Sequence, residues 1–261
     1  GVQTCACPIW ELDWAQALED DPPRRQLNFR RKQDSREYTV KTRATLKGGS
    51  LSLPRGVVQG QNLQLMLQRQ FLHVSHISDF DDLPIPFRAV ATDLATGETH
   101  VFAEGSLATA VQASMSIPGL YAPVELDGKL LVDGGIANNL PVDVIKTMDV
   151  DFVIAVDIAT PLYTAEKLDS VVPIIEQLTT LLTFNQIKTQ YALLTEQDLL
   201  LTPDLTDIST ADFHRIEEVI GIGYRAARDH HQEMTRMSTG SHSTRNITWF
   251  EPPVIREIEI Q

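Results

Sequence analysis

Between Pro123 and Gly135 the sequence leaves the backbone few choices. Val124 to Leu126 and Lys129 to Val132 are short strand-forming runs separated by Asp127-Gly128. That dipeptide tolerates the positive φ that a two-residue hairpin turn demands. The second strand of the hairpin therefore delivers Asp133, and glycines follow at 134 and 135. A carboxylate at the end of an apolar strand sits where α/β sheets gather their reactive groups. Gly134 and Gly135 permit positive φ and let another backbone or a ligand approach where a Cβ would stand in the way. Taken alone, an Asp-Gly-Gly is more often an ordinary turn, so its surroundings decide its meaning.

Those surroundings are punctuated by residues that local geometry requires. Ile85 to Leu94 reads as a strand, Ala95-Thr96-Gly97-Glu98 as a turn and Thr99 to Ala103 as the returning strand. Ser106 is placed to cap a helix through about Ser114, and Pro118 stops it. Upstream, Lys47-Gly48-Gly49-Ser50 reads as a hairpin turn between Thr39 to Leu46 and Leu51 to Pro54. Leu63, Met66 and Leu67 give Gln61 to Leu72 a helical spacing.

Downstream, Asn139 and Pro141 mark a helix start, and Val150 to Ala159 has the composition of a strand buried on both faces. A helix from Val171 to Leu194, a strand from Asp198 to Thr202 and a helix from Ala211 to Met237 complete an alternating α/β order. The chain then turns polar from Ser238 to Ser243, passes Pro252-Pro253, and alternates like a strand from Val254 to Ile260. The predicted division is one domain over residues 1–237 and, over 238–261, a linker with the start of a second.

A 43% hydrophobic content over 261 residues suffices for a buried core. Against 35 acidic residues stand 22 Lys and Arg, a formal charge of −13 that repels phosphate backbones and speaks against nucleic acid as a partner. The same charge disfavours docking on an anionic bilayer, so contact with a membrane surface would use an apolar mouth around a site. No apolar run reaches the ~18 residues of a spanning helix, and the first residues lack a signal-peptide pattern. The chain opens on Gly1 rather than Met, and its natural start is expected upstream.

Cys5 and Cys7 lack the further ligands of a zinc site, and the seven histidines show no metal-ligand spacing, so no metal is predicted. His73 and His76 are expected at a helix end, and His230 and His231 on a polar helix face. Gly221-Ile222-Gly223 falls inside a helical pattern rather than after a strand, which argues against a dinucleotide site. Asn246-Ile247-Thr248 matches a glycosylation sequon by chance.

Three blocks occur in a specific order: Phe87-Arg88-Ala89-Val90-Ala91-Thr92-Asp93-Leu94-Ala95-Thr96-Gly97-Glu98, Ala113-Ser114-Met115-Ser116-Ile117-Pro118-Gly119, and Leu130-Leu131-Val132-Asp133-Gly134-Gly135-Ile136-Ala137-Asn138-Asn139-Leu140-Pro141-Val142-Asp143. Together they resemble the bacterial patatin-like phospholipase family, over about Trp10 to His231. The resemblance implies a three-layer α/β fold with a mainly parallel central sheet, and activity on a lipid or ester substrate with no cofactor. It also implies a dyad in which a serine of a Gly-x-Ser-x-Gly elbow pairs with the aspartate that matches Asp133. A glycine-rich loop would form the oxyanion hole.

No Gly-x-Ser-x-Gly occurs between Gly1 and Gln261. In the family, the elbow and the oxyanion loop precede the segment resembling Glu11-Leu12-Asp13-Trp14, so the nucleophile-bearing part is expected before Gly1. Gly48-Gly49-Ser50 is a local imitation, set in a polar hairpin. Two readings follow: the acid-bearing part of an acyl hydrolase, inactive by itself, or a catalytically dead patatin-like domain that binds lipid or a partner. Pro252 to Ile260 after the linker resembles the patatin autotransporters of Gram-negative bacteria, where a POTRA domain and an outer-membrane barrel follow the passenger. That resemblance implies secretion or attachment to the outer membrane, with a cytoplasmic location as the alternative.

Overall fold

The computed structural model describes residues 45–47, 50–52, 56–158, 162, 164–168, 171–206, 208, 212 and 215–240. Strands β1 (Thr45–Lys47) and β2 (Ser50–Ser52) pair antiparallel with Lys47 opposite Ser50, the hairpin expected there. Strand β3 (Gly56–Val58) leads into helix α1 (Gln61–Gln70), whose Leu63 and Leu67 are buried one turn apart. They pack on Val58, Ala108 and Tyr121.

Strands β4 (Ala89–Asp93) and β5 (Thr99–Phe102) form the next hairpin, with Ala89 opposite Phe102. Helix α2 (Leu107–Ser114) starts at Ser106, whose Oγ accepts the Thr109 N–H at 3.3 Å. Strand β6 (Gly119–Tyr121) then runs parallel to β3. It was not expected, because Pro118-Gly119 reads only as a helix stop. Strands β7 (Val124–Leu126) and β8 (Lys129–Asp133) close on Asp127 at φ 49° and Gly128 at φ 79°, the turn chemistry anticipated for that dipeptide.

These hairpins assemble one four-stranded sheet in the order β5-β4-β8-β7, antiparallel throughout. The expected mainly parallel central sheet is therefore corrected. Connections as short as Asp127-Gly128 cannot return a chain for parallel pairing, which needs a crossover of about a dozen residues. Parallel pairing occurs in two satellite pairs, β3 with β6 and, further on, β9 (Ile154–Val156) with β10 (Leu199–Leu201).

Short helices α3 (Gly135–Asn138) and α4 (Val142–Lys146) follow β8. Helix α5 (Val171–Tyr191) ends before Leu194. The long final helix is two, α6 (Ile216–Asp229) and α7 (His231–Gly240), broken at His230, whose Nδ1 donates to the Ala226 carbonyl at 3.0 Å. Strand β9 is not buried on both faces: Ala155 is buried, whereas Ile154 and Val156 are 42% and 46% exposed. The tail over 241–261, with its linker and POTRA-like readings, lies outside the described residues, as do Cys5, Cys7 and Glu11-Leu12-Asp13-Trp14.

All five residues of β4 are buried. Ala89 and Ala91 pack with Ala110 and Ala113 of α2 and with Leu131 of β8. Leu131 is fully buried. Leu131→Ala is expected to cost about 2–5 kcal/mol. Urea unfolding would read this as a lower midpoint at an unchanged slope.

Candidate active site

Asp133 ends β8 opposite Ala91 of β4, and its main chain is fastened on both sides. Its N–H donates to the Ser116 carbonyl at 2.9 Å, and its own carbonyl accepts the Thr92 hydroxyl at 2.8 Å. The Thr92 Oγ1 in turn accepts the Ala137 N–H of α3 at 3.1 Å. One hydroxyl thus ties the end of β8 to the first turn of the helix beyond it. Ser116 is anchored too, its Oγ donating to the Gln112 carbonyl at 2.7 Å.

The two glycines act in different ways. A Cβ built on Gly134 would collide with the Val90 carbonyl oxygen and stand 2.6 Å from the Val90 carbonyl carbon. Gly134 sits at φ −66°, so of the two freedoms a glycine offers there, positive φ and the close approach of another backbone, the turn uses the second. What demands glycine is the passing backbone of β4. A Cβ on Gly135 would lie 2.9 Å from Asp133 Oδ1 and from Asn139 Oδ1, both of them side-chain atoms.

Among the described residues the carboxyl group of Asp133 has one donor: its Oδ1 accepts the Gly135 N–H at 2.7 Å. Among the described residues Oδ2 has no hydrogen-bond partner. Burial pushes the Asp133 carboxyl above its ordinary value of 3.8, and the Gly135 N–H pulls against that rise. Desolvation wins because a single amide donor offsets only part of the loss of water.

Beyond the turn, Asn138 Nδ2 donates to Asp143 Oδ1 at 2.8 Å, and the Asp143 N–H donates to Gln190 Oε1 of α5 at 3.0 Å. These contacts lock α3 and α4 onto the long helix. Asp157, just past β9, accepts a hydrogen bond from the Tyr191 hydroxyl, and burial with that bond pushes the phenol up to about 12. Sequence reasoning singled out neither Thr92, Ser116 nor Asn138. The available signal was a polar pair, Thr92-Asp93, directly after the apolar Ala89-Val90-Ala91 of a strand.

Ser50 lies in β2 opposite Lys47. His73 is exposed beside the end of α1, its Nδ1 donating to the Gln70 carbonyl at 3.0 Å. Among the described residues no group of His, Cys, Asp or Glu could hold a metal ion, and no helix is long and apolar enough to cross a membrane.

A family model for patatin-like phospholipase matches residues 10–146, more than half of the 261. The chain belongs to the patatin-like phospholipase family. The match takes in all three sequence blocks and the Asp133 turn. An uncharacterized NTE family protein of Mycobacterium tuberculosis is 44% identical over 102 residues, 35% of this chain and 28% of that protein. A second NTE family protein of that organism is 30% identical over 215 residues, 74% of this chain and 34% of its own length. The mouse patatin-like phospholipase domain-containing protein 7 is 30% identical over 176 residues, 57% of this chain and 13% of that protein. The chain spans about a third or less of the curated relatives it matches.

Two measurements check the site. Because the folded Asp133 holds its proton more tightly than the unfolded chain, its contribution to stability is present below pH 3.8 and lost as pH rises through the folded value. The stability difference between the protein and Asp133→Asn, from urea unfolding across a pH series, should fall over that window. Gly134→Ala should lower stability by about 3 kcal/mol or more, since β4 itself would have to move, and Gly135→Ala by clearly less. Thermal unfolding of the two variants compares them directly.

Proposed function

We propose that this chain carries the acid half of a Ser-Asp dyad in a lipid acyl hydrolase of phospholipase A or lipase type, with Asp133 as the base. The observation that carries the reading is the state of its carboxyl group: half-buried and partly desolvated at the end of β8, held through Oδ1 by one backbone N–H, and free of partners at Oδ2 among the described residues. A base raised toward neutral pH takes a proton more readily and returns it as an acid. Membership of the patatin-like phospholipase family supports an ester of a lipid as substrate.

In the proposed reaction the serine hydroxyl gives its proton to Asp133 Oδ2 as its oxygen attacks the ester carbonyl carbon. The tetrahedral oxyanion collapses, the bond to the leaving alcohol breaks, and that alcohol takes the proton from Asp133. Water then cleaves the acyl-serine by the same route, using the same base. Backbone N–H donors would have to meet the oxyanion.

The 261 residues hold no Gly-x-Ser-x-Gly, so the proposal places the nucleophile in a segment outside this sequence. By itself the chain should turn over no ester, since losing a serine nucleophile costs about 10⁶-fold in kcat. A second reading, a non-catalytic domain that binds lipid, draws its support from the same missing motif.

Short-chain ester hydrolysis should appear when the chain is produced together with a nucleophile-bearing segment of its own gene, and Asp133→Asn in that longer protein should lower kcat by about 10⁴-fold or more. Full activity of that variant would remove Asp133 from the chemistry. Labelling of the 261-residue chain itself by a fluorophosphonate would contradict both readings.

A further inference from the structure

Thr92 is 2% exposed and lies in the middle of a sheet, on a strand every residue of which is buried. A hydroxyl there is costly unless both its donor and its acceptor capacity are used. Both are used, and on one feature: the proton goes to the Asp133 carbonyl at 2.8 Å and the lone pair receives the Ala137 N–H at 3.1 Å. The two partners bracket Gly135, whose N–H holds Asp133 Oδ1 at 2.7 Å.

Few other groups could do this. The Asp133 N–H is committed to Ser116, which fixes where β8 arrives but not how the chain leaves it. The Ala137 N–H also faces the Gly134 carbonyl at 3.1 Å, a contact within the turn that moves with it. Among the described residues only the Thr92 hydroxyl joins the turn to the neighbouring strand through a side chain. Valine has nearly the shape of threonine and keeps water out, but offers neither bond.

We propose that Thr92 is a positioning residue for Asp133: its hydroxyl sets the direction of the Gly135 N–H and thereby the rotation of the Asp133 carboxylate toward the incoming nucleophile. The inference rests on the reading of Asp133 as a base. It adds a residue that never touches substrate and acts through the turn alone.

The mechanism has a signature that a packing role lacks. Burial and the Gly135 N–H are the two influences on the Asp133 carboxyl, and they oppose each other. The neighbouring elements present further polar groups: Asp93 on β4, Gln112 and Ser116 at the end of α2, Asn138 and Asn139 after β8, and Asp143 on α4. Asp93 accepts the Ala95 N–H at 2.9 Å, and Asp143 is bonded to Asn138, so both carboxylates are engaged elsewhere. If the Gly135 N–H swings off Oδ1 while the site stays dry, burial acts unopposed and the carboxyl rises further.

The experiment titrates Asp133 by carboxyl carbon NMR in the 261-residue chain, with Asp133→Asn to assign the signal, in Thr92→Val, Thr92→Ala and Thr92→Ser. Thr92→Val should raise the midpoint above that of the parent protein, and Thr92→Ser, which restores the hydroxyl, should return it. An unchanged or lowered midpoint in Thr92→Val, or no recovery in Thr92→Ser, would overturn the proposal. Should Thr92→Val fail to fold, Thr92→Ala is read by the same criterion.

In the longer, nucleophile-bearing protein, Thr92→Val should lower kcat about 10–100-fold with KM nearly unchanged, and Thr92→Ser should recover most of it. A fall in KM-linked binding alone would count against positioning. The two ideas fail separately. Activity surviving in Asp133→Asn sinks the catalytic reading while the titration still decides whether Thr92 governs the turn; an unmoved titration with a dead Asp133→Asn sinks the Thr92 role alone.

Discussion

The backbone of β4 passes so close to residue 134 that no side chain fits between them, and much of the structure follows from that contact. Because Gly134 lets the turn after β8 lie directly on Val90, the first turn of α3 is pressed against β4. Ala89 and Ala91 of the same strand pack against Ala110 and Ala113 of α2. A strand enclosed in this way must satisfy every polar group it carries, since none can reach water. Thr92 can be accommodated only because its partners are the Asp133 carbonyl and the Ala137 N–H. The close approach and the hydroxyl clamp are therefore two aspects of one packing solution.

That solution separates holding Asp133 from occupying it. The main chain is fixed through its N–H by Ser116 and through its carbonyl by Thr92, while the side chain receives one backbone donor from two residues ahead. Bonds to the main chain place the carboxylate without filling its lone pairs. Bonds to the carboxylate itself would hold it as well, but would stabilise the charged form and leave a weaker base. Burial works in the opposite direction and keeps the proton affinity high.

Local punctuation in the sequence predicted the hairpins and the capped helix, because those elements are decided by the residues within them. Asp127-Gly128 fixed the β7–β8 turn, and Ser106 fixed the start of α2. Pairing between distant segments left no such mark. The three-residue β6 carries no periodicity of its own, and it exists because β3 lies beside it. The direction of the central sheet was misjudged because it was carried over from the family resemblance, whereas the turns at Ala95 to Glu98 and Asp127-Gly128 already required antiparallel neighbours within each hairpin. The position of Asp133 was legible as the end of an apolar strand. The need for glycine at 134 was legible only as an either-or, positive φ or close approach, and it took the neighbouring strand to choose. Thr92 could be seen as a polar residue closing the apolar Ala89-Val90-Ala91, but its partners lie 41 and 45 residues away and no spacing rule connects them.

A second aspartate shows what the Asp133 arrangement leaves undone. Asp198 has a side chain that is 3% exposed, so desolvation acts on it strongly as well. Burial alone would push its carboxyl up, yet it is held at about 2. The difference is the number of donors: the N–H groups of Thr195 and Val153, the Thr195 hydroxyl and the Lys146 ammonium all converge on it, at 2.7–2.9 Å. Every one of them stabilises the anion, and together they outweigh the loss of water. Asp198 therefore joins the start of β9, α4 and the loop before β10 as a charge committed to the fold, with three donors on Oδ2 and one on Oδ1. Desolvation thus raises one aspartate while the other is lowered in spite of it, and the shell decides which of them is equipped for chemistry. One donor and an unpartnered oxygen describe a group that can still accept a proton, whereas four donors describe one that has already spent its capacity on the fold.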